Sequence, residues 1–189
     1  ARHLRPGVTE NELAGRFEFG IRMAGAKRPA FTTIMSAGPN TCVLHYSDYE
    51  ATVQPGDLVL MDLGAEYGYY AADMTRTLPA DGKFTQEQKY YYDAVLQAQE
   101  ALRAAAKPGN RMEDGEMAVK KCLAQKCIES GLIQDASEID KYSPHGYGHF
   151  LGLDTHDVGT RDCYQEGMVI TCEPGIYIPE KNIGIRVED

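Results

Sequence analysis

The amino-acid sequence predicts an α+β domain made of two similar halves. Three helical segments and several β-type runs share the 189 residues, which suffice for one substantial core. Each half also offers a hairpin whose two strands carry acids, Asp62 with Asp73 and then Glu173 with Glu188. This weak similarity between the two hairpins suggests that two related halves face each other.

The first half combines one helix with two β-type stretches. Thr9 and Glu12 form a capping box ahead of Leu13, Phe17 and Ile21, which recur at helical spacing. Residues 31–46, FTTIMSAGPNTCVLHY, predict a strand, a turn at Gly-Pro-Asn and a second strand. Residues 54–79, QPGDLVLMDLGAEYGYYAADMTRTLP, then predict a hairpin that follows a Pro-Gly turn.

Two helices connect the halves. The second helix begins with a capping box of Thr85 and Gln88, and it ends at Lys-Pro-Gly, residues 107–109. The third is predicted from about Met112 to Gly131. Residues 143–159, SPHGYGHFLGLDTHDVG, are rich in His and Gly and have no helical period. GMVITCEPGIYIP and IGIRVED then predict the strands of the second hairpin.

Composition excludes several classes of partner. The formal charge of −9 argues against nucleic acid and anionic membranes, because both require a basic surface. The sequence contains no run of about 18 apolar residues, so it predicts no membrane-spanning helix. The five cysteines are odd in number and scattered, which indicates free thiols and a cytoplasmic location. The chain begins without Met and stops in a strand, so we expect a domain truncated at both ends.

The hairpin acids need a positive partner, because a carboxylate removed from water is costly unless it is paired. Salt bridges with Arg76 and Arg186 are one interpretation. Four acids outnumber two arginines, however, and a pair of divalent cations satisfies such a cluster better. Nearby histidines would complete a set typical of Mn²⁺, Zn²⁺ or Co²⁺; they are His45, His145, His149 and His156.

Four motifs carry a resemblance to a known family. DLGAEYGYYAADMTRT, HGYGHFLGLDTHDVG, EPGIY and GIRVED occur in this order, and together they resemble the catalytic domain of the pita-bread metallopeptidases. Within that group the chain is most similar to aminopeptidase P, with prolidase second. The resemblance implies a pita-bread fold, with two pseudo-symmetric halves and a curved antiparallel sheet covered by helices.

The resemblance also implies a dinuclear centre with two divalent metal ions, Mn²⁺ being favoured. The ligands that it implies are Asp62, Asp73, His149, Glu173 and Glu188. Asp73 and Glu188 match carboxylates that bridge the two metals. Asp62 matches a ligand of one metal, while His149 and Glu173 match ligands of the other.

The implied reaction is metal-assisted cleavage of the first peptide bond in peptides whose second residue is proline. Glu173 matches the proton carrier and His156 a residue that contacts the substrate. His45 and His145 match histidines that line the pocket on the proline side. Tyr177 and Arg186 match residues that support the ligands and the substrate pocket.

Two alternatives stay open at this stage. Prolidase, which hydrolyses Xaa-Pro dipeptides, carries nearly the same motifs, whereas a metal-free binding module of the same fold would normally show substituted ligands. Methionine aminopeptidase fits less well.

Residues 1–189 are expected to be the catalytic domain, without the N-terminal domain that relatives carry. We expect the full-length protein to form a homo-oligomer.

Overall fold

The computed structural model describes residues 2–160 and 162–189, which fold as the predicted mixture of helices and antiparallel strands. Three α-helices are present in this part of the chain: α1 (Glu10–Met23), α2 (Gln86–Ala105) and α3 (Met112–Glu129). Among the described residues, no helix combines the length and apolarity needed to cross a bilayer.

The helices start where the sequence predicts. Thr9 and Glu12 form the capping box of α1, and Thr85 and Gln88 form that of α2. In each box the threonine hydroxyl accepts from a main-chain N–H that would otherwise lack a partner, which stabilises the first turn. α3 lacks such a side-chain cap, and Arg111 occupies its N-cap position.

Strands from the first half form two small antiparallel sheets. The strands are β1 (Arg28–Pro29), β2 (Ile34–Ala37), β3 (Leu58–Leu63), β4 (Ala65–Tyr67), β5 (Tyr70–Ala71) and β6 (Met74–Pro79). One sheet has the order β2-β3-β6 and the other has the order β1-β4-β5. The predicted hairpin is therefore divided: its base joins β3 to β6, and its tip, β4 and β5, turns toward β1.

The second half contributes the hairpin of β7 (Gly175–Ile178) and β8 (Ile183–Arg186). β8 lies beside β6, where two hydrogen bonds join Thr77 to Arg186. The Thr77 hydroxyl donates to the main-chain carbonyl of Arg186 at 3.0 Å and accepts from the main-chain N–H of Arg186 at 3.2 Å. The main-chain N–H of Glu188 also donates to the Thr75 carbonyl at 3.1 Å. The two hairpins therefore run next to each other.

Each half has its own apolar core. Leu13 and Ala14 of α1 pack with Met35 and Val59 of the first sheet. α2 and α3 pack over the second hairpin, where Ile176 and Ile185 are completely buried. Apolar packing on the outer side of each hairpin fixes the strands, so that polar side chains on the other face can meet between the halves.

One local prediction was wrong. The second strand predicted within residues 31–46 does not form: Gly38–Cys42 is a 3₁₀-helix, and residues 43–50 lie outside helices and strands. In the first hairpin, Asp62 pairs with Thr75. The divided hairpin moves Asp73 to the residue just before β6.

Candidate metal centre

The first hairpin presents its two aspartates on one face. Pairing of Asp62 with Thr75 and of Leu63 with Met74 places Asp73 diagonally across from Asp62. Side chains two positions apart on an extended strand point to the same side, so Asp73, Thr75 and Asp62 share a face. The apolar residues Val59 and Met61 of the same strand point instead into the core under α1.

The second hairpin presents its two glutamates directly opposite each other. Gly175 pairs with Arg186, and Cys172 and Asp189 exchange main-chain hydrogen bonds of 2.9 and 3.4 Å. This register continues outward from β7 and β8 and places Glu173 across from Glu188. Because directly opposite side chains lie close together, the two carboxylates meet at the base of the hairpin.

His149 reaches the acids from the His- and Gly-rich loop. Its main-chain carbonyl accepts from the N–H of Thr171 at 2.8 Å, which fastens the loop beside the second hairpin. The Nε2 atom of His149 lies 3.5 Å from Asp73, 3.5 Å from Glu173 and 4.0 Å from Glu188. The Nδ1 atom lies 3.0 Å from the Phe150 carbonyl. A proton held on Nδ1 would leave Nε2 to act as a ligand.

The arrangement fits divalent cations. Single ligand atoms of Asp73, His149 and Glu188 all lie within 4.8 Å of one another. Within the described residues, the buried atoms Oδ1 of Asp62 and Oδ1 of Asp73 have no hydrogen-bond partner. A buried carboxylate oxygen without a donor is costly, and a cation would satisfy it. Carboxylate oxygens with one imidazole suit Mn²⁺, Zn²⁺ or Co²⁺.

The arginines satisfy only part of the acid cluster. Arg186 is 4 % exposed and donates to Oδ2 of Asp62 at 2.6 Å, so the salt-bridge interpretation holds for one carboxylate. Arg76 points elsewhere and pairs with Asp189. The remaining acids, Asp73, Glu173 and Glu188, have no arginine partner within the described part of the chain.

Burial favours the protonated forms of Glu173 and Glu188, because it raises the pKa of both carboxyl groups. Burial, together with the neighbouring carboxylates, raises the pKa of Glu188 to about 9. Burial raises the pKa of Glu173 to about 7, although His149 opposes the shift. Burial lowers the pKa of His149, but a hydrogen bond to Asp73 and nearby carboxylates outweigh it and raise this pKa to about 9. Protons and cations therefore compete for the same atoms.

A second network extends from the acids to His145. Arg186 donates to the Tyr177 hydroxyl at 2.6 Å, and this hydroxyl lies 2.8 Å from Nε2 of His145. The hydroxyl accepts from Arg186 and can therefore donate to His145, whose Nδ1 lies 2.7 Å from the Gly146 carbonyl. Burial lowers the pKa of His145 to about 4, so the imidazole stays neutral at pH 7.

One open cavity of about 1130 Å³ joins the predicted site residues. It is lined by the five predicted ligands and by Arg186, His45, His145 and His156. The ring of His156 lies 4.2 Å from that of His149. Tyr177 does not line the cavity, and it contacts the site through His145 and Arg186. The structure thus brings all of the predicted residues to one place.

Sequence reasoning missed two threonines that hold the predicted ligands. The Thr75 hydroxyl donates to Oε2 of Glu188 at 2.6 Å. The Thr171 hydroxyl donates to Oε1 of Glu173 at 3.2 Å and accepts from the main-chain N–H of His149 at 3.1 Å. Both threonines lie two residues from a predicted acidic ligand on an extended segment, and this spacing could have indicated them.

Comparison with known proteins identifies the family. Residues 1–189 match the sequence profile of metallopeptidase family M24. The chain belongs to this family. Among curated M24 relatives, Xaa-Pro aminopeptidase of Escherichia coli K12 is 39 % identical over 98 % of this chain and 46 % of its own length. Xaa-Pro aminopeptidase of Haemophilus influenzae is 36 % identical over 98 % of this chain and 48 % of its own length.

Solved structures confirm the fold. Aminopeptidase PepP of Pseudomonas aeruginosa superposes with a TM-score of 0.95 at 38 % identity, over 99 % of this chain and 47 % of that one. The M24 chain described here therefore has the pita-bread fold of these aminopeptidases, as the four motifs predicted. It spans about half the length of the curated relatives that it matches.

Proposed function

We propose that residues 1–189 form the catalytic domain of a dinuclear metal-dependent exopeptidase. It would release the N-terminal residue from peptides with proline in second position, as an Xaa-Pro aminopeptidase. The observation that carries this proposal is the convergence of four carboxylates and His149 on one cavity, with two buried aspartate oxygens left without partners in the described residues. The names of the curated relatives support the same substrate class.

Five residues would hold two divalent cations, for which we propose Mn²⁺, with Zn²⁺ or Co²⁺ as substitutes. They are Asp62, Asp73, His149, Glu173 and Glu188. When bound, the cations would polarise the scissile carbonyl and make water a stronger acid. Thr75 and Thr171 would orient the two glutamates, since each donates a hydrogen bond to one of them.

Glu173 is proposed to move the proton. Its Oε1 accepts from Thr171, while its Oε2 lies 3.9 Å from Nδ1 of His145 on the side of the cavity. A carboxylate placed there can take a proton from water and return it to the leaving nitrogen. Thr171 would keep the carboxylate in place during both transfers.

Histidines around the cavity are proposed to bind the peptide. His156 stands beside His149, where it could donate to the carbonyl oxygen under attack. His45 and His145 would line the pocket for the proline ring. Arg186 and Tyr177 would keep Asp62 and His145 in position, through the hydrogen bonds described above.

The first experiment measures hydrolysis of two peptides by the full chain loaded with Mn²⁺. One is an Xaa-Pro dipeptide and the other a longer Xaa-Pro-Xaa peptide. We expect cleavage of the longer peptide between its first and second residues. This activity should be lost in Asp73→Ala and kept in Asp93→Ala, which removes an exposed aspartate of α2 paired with Lys89.

The other outcomes are equally informative. Cleavage of the dipeptide alone would reassign the enzyme as a prolidase. If neither peptide is cut although Mn²⁺ binds, the peptidase assignment fails and a binding role must replace it. Equal activity of Asp73→Ala and the parent would remove the hairpin acids from the mechanism.

We also infer that the protein works in the cytoplasm as a homo-oligomer, without nucleic-acid or membrane partners. The five cysteines are unpaired in the described structure, which suits a reducing compartment. Exposed apolar side chains cluster at the tip of the first hairpin, where Tyr67 and Tyr69 are 68 % and 75 % exposed. Light scattering on the full chain tests the oligomer, which a monomeric mass would rule out.

A further inference from the structure

Glu10 is a buried carboxylate far in sequence from the metal ligands. It is the first residue of α1, and its exposed fraction is 0 %. A buried charge normally requires a close cation or several donors. In the described part of the chain Glu10 forms no ion pair, so donors must satisfy it.

Four donors surround the two carboxylate oxygens of Glu10. Oε1 accepts from the main-chain N–H of Ala37 at 2.8 Å and from the Asn40 amide at 3.0 Å. Oε2 accepts from the Tyr46 hydroxyl at 2.8 Å and from the main-chain N–H of Ala51 at 2.9 Å. The N-terminus of α1 adds a favourable dipole. Each oxygen therefore has two donors, and the charge is stabilised without a cation.

All four donors come from residues 37–51, which we call the cavity loop. Residues 43–50 of this loop lie outside helices and strands, so regular main-chain hydrogen bonding does not fix them. Glu10 contacts the loop near its start, in its middle and at its end. One side chain thus contacts three points of a segment that has little regular structure of its own.

The cavity loop forms one wall of the catalytic cavity through Leu44, His45 and Ser47. Tyr46 is buried and turned toward Glu10, whereas His45 on one side and Ser47 on the other are exposed. Anchoring the Tyr46 ring inside the protein therefore directs the two neighbouring side chains outward, toward the cavity.

We propose that Glu10 is a positioning residue for peptide binding. By holding Tyr46 and the ends of the cavity loop, it keeps His45 at the wall where the proline-side residue of the substrate would lie. This role rests on the proposed peptidase function, since it assumes that His45 contacts the peptide. Glu10 itself touches neither the substrate nor the metal ligands.

The test compares Glu10→Gln with Glu12→Gln in the full chain loaded with Mn²⁺. Gln at position 10 replaces an acceptor by an amide donor that would face the loop donors. Glu12→Gln makes the same chemical change on the exposed side of α1, where Gln also supports a capping box. For the Xaa-Pro-Xaa peptide, we expect KM to rise at least fivefold in Glu10→Gln, with kcat changed less than twofold, and neither to change in Glu12→Gln.

A double-mutant cycle separates positioning from general destabilisation. If Glu10 acts through His45, then His45→Ala should raise KM in the parent and add little in the Glu10→Gln background. Additive effects, or a loss of kcat alone, would overturn the proposal. If Glu10→Gln does not fold, Tyr46→Phe replaces it in the test. This variant removes only one of the four donors to Glu10, and it should also raise KM.

Two measurements do not depend on peptidase activity. Amide hydrogen exchange of residues 43–50 should accelerate in Glu10→Gln and stay unchanged in Glu12→Gln, while Mn²⁺ affinity should be the same in both variants. If the parent cleaves no peptide, the proposed function fails. Faster exchange would then still establish Glu10 as the anchor of the loop, and unchanged exchange would refute the anchoring role as well.

Discussion

At the scale of single residues, Arg186 links the candidate metal ligand Asp62 to Tyr177, which contacts His145. Its guanidinium donates to Asp62 and to Tyr177, each at 2.6 Å, while it is itself buried. Burial lowers the pKa of Arg186, but its interactions with Tyr177 and with the carboxylate of Asp62 outweigh burial and raise this pKa. The planar fork of arginine allows both hydrogen bonds at once, which a single ammonium group reproduces poorly.

Arg186→Lys should therefore weaken metal binding although the charge is kept. Loss of a group that orients a ligand typically lowers metal affinity by about 10–100-fold. Titration calorimetry with Mn²⁺ measures this loss. Arg28→Lys is the matched control, because Arg28 forms a similar pair with Glu66 but its side chain is 67 % exposed. Equal affinities of both variants would contradict the role given to Arg186.

Cys127 offers a second prediction for a single residue. Its thiol is buried between the helices, and burial raises its pKa to about 12. At pH 8 the reactive thiolate would then be on the order of one part in ten thousand. Iodoacetamide should leave Cys127 unlabelled in the native protein and label it after unfolding, as mass spectrometry of the peptides would show. Labelling of native Cys127 at the rate of the more exposed Cys163 would refute this.

At the scale of elements, close packing of β8 depends on a glycine. A Cβ atom at Gly184 would lie 2.0 Å from the Thr41 carbonyl oxygen, whereas one at Gly20 in α1 would meet nothing within 4 Å. Gly184→Ala should therefore destabilise the protein by roughly 1–3 kcal/mol. Gly20→Ala should stabilise it by roughly 0.5–1 kcal/mol, because alanine loses less conformational entropy in a helix. Urea unfolding of the two variants checks both signs, and shifts in the same direction would count against this packing.

The elements also show what sequence reasoning could reach. The capping boxes at Thr9 and Thr85 were readable because they are local, involving residues only three apart. The wrong strand within residues 43–46 has a long-range cause: Tyr46 bonds to Glu10, which is 36 residues away. The composition of a run such as VLHY favours a strand. No local signal indicates that its tyrosine instead forms a hydrogen bond with Glu10.

The candidate site was only partly predictable from the sequence, because some of its contacts are long-range. The acids of each hairpin stand near turns that pair them, and the four motifs identified the family. Arg186 and His145 were expected near the site, but their connection through Tyr177 depends on contacts between strands and a loop. Thr75 and Thr171 were overlooked because threonine is common in strands, where it needs no special role.

At the scale of the whole molecule, protons and cations would compete for the same side chains of the candidate site. The pKa of Glu188 and that of His149 are both raised to about 9, so both groups are protonated at pH 7. Cations need the deprotonated groups as ligands. Raising the pH from about 6 to about 9 removes the competing protons, and metal affinity should rise over this range.

Metal binding at pH 7 should accordingly release protons. Calorimetric titration with Mn²⁺ in two buffers of different ionisation enthalpy gives the number released, and we expect at least one per chain. The same titration of Asp73→Ala should show little heat. A heat that does not depend on the buffer would mean that the acids are already ionised.

The residues that would bind cations are widely spaced along the chain, from Asp62 to Glu188, and Glu188 lies two residues after Arg186, the last residue of β8. During synthesis the segment that carries Asp62 and Asp73 leaves the ribosome well before the segment that carries Glu173 and Glu188. The proposed set of five metal ligands is therefore complete only after residue 188 has been added, and a chain interrupted earlier would lack at least one of them.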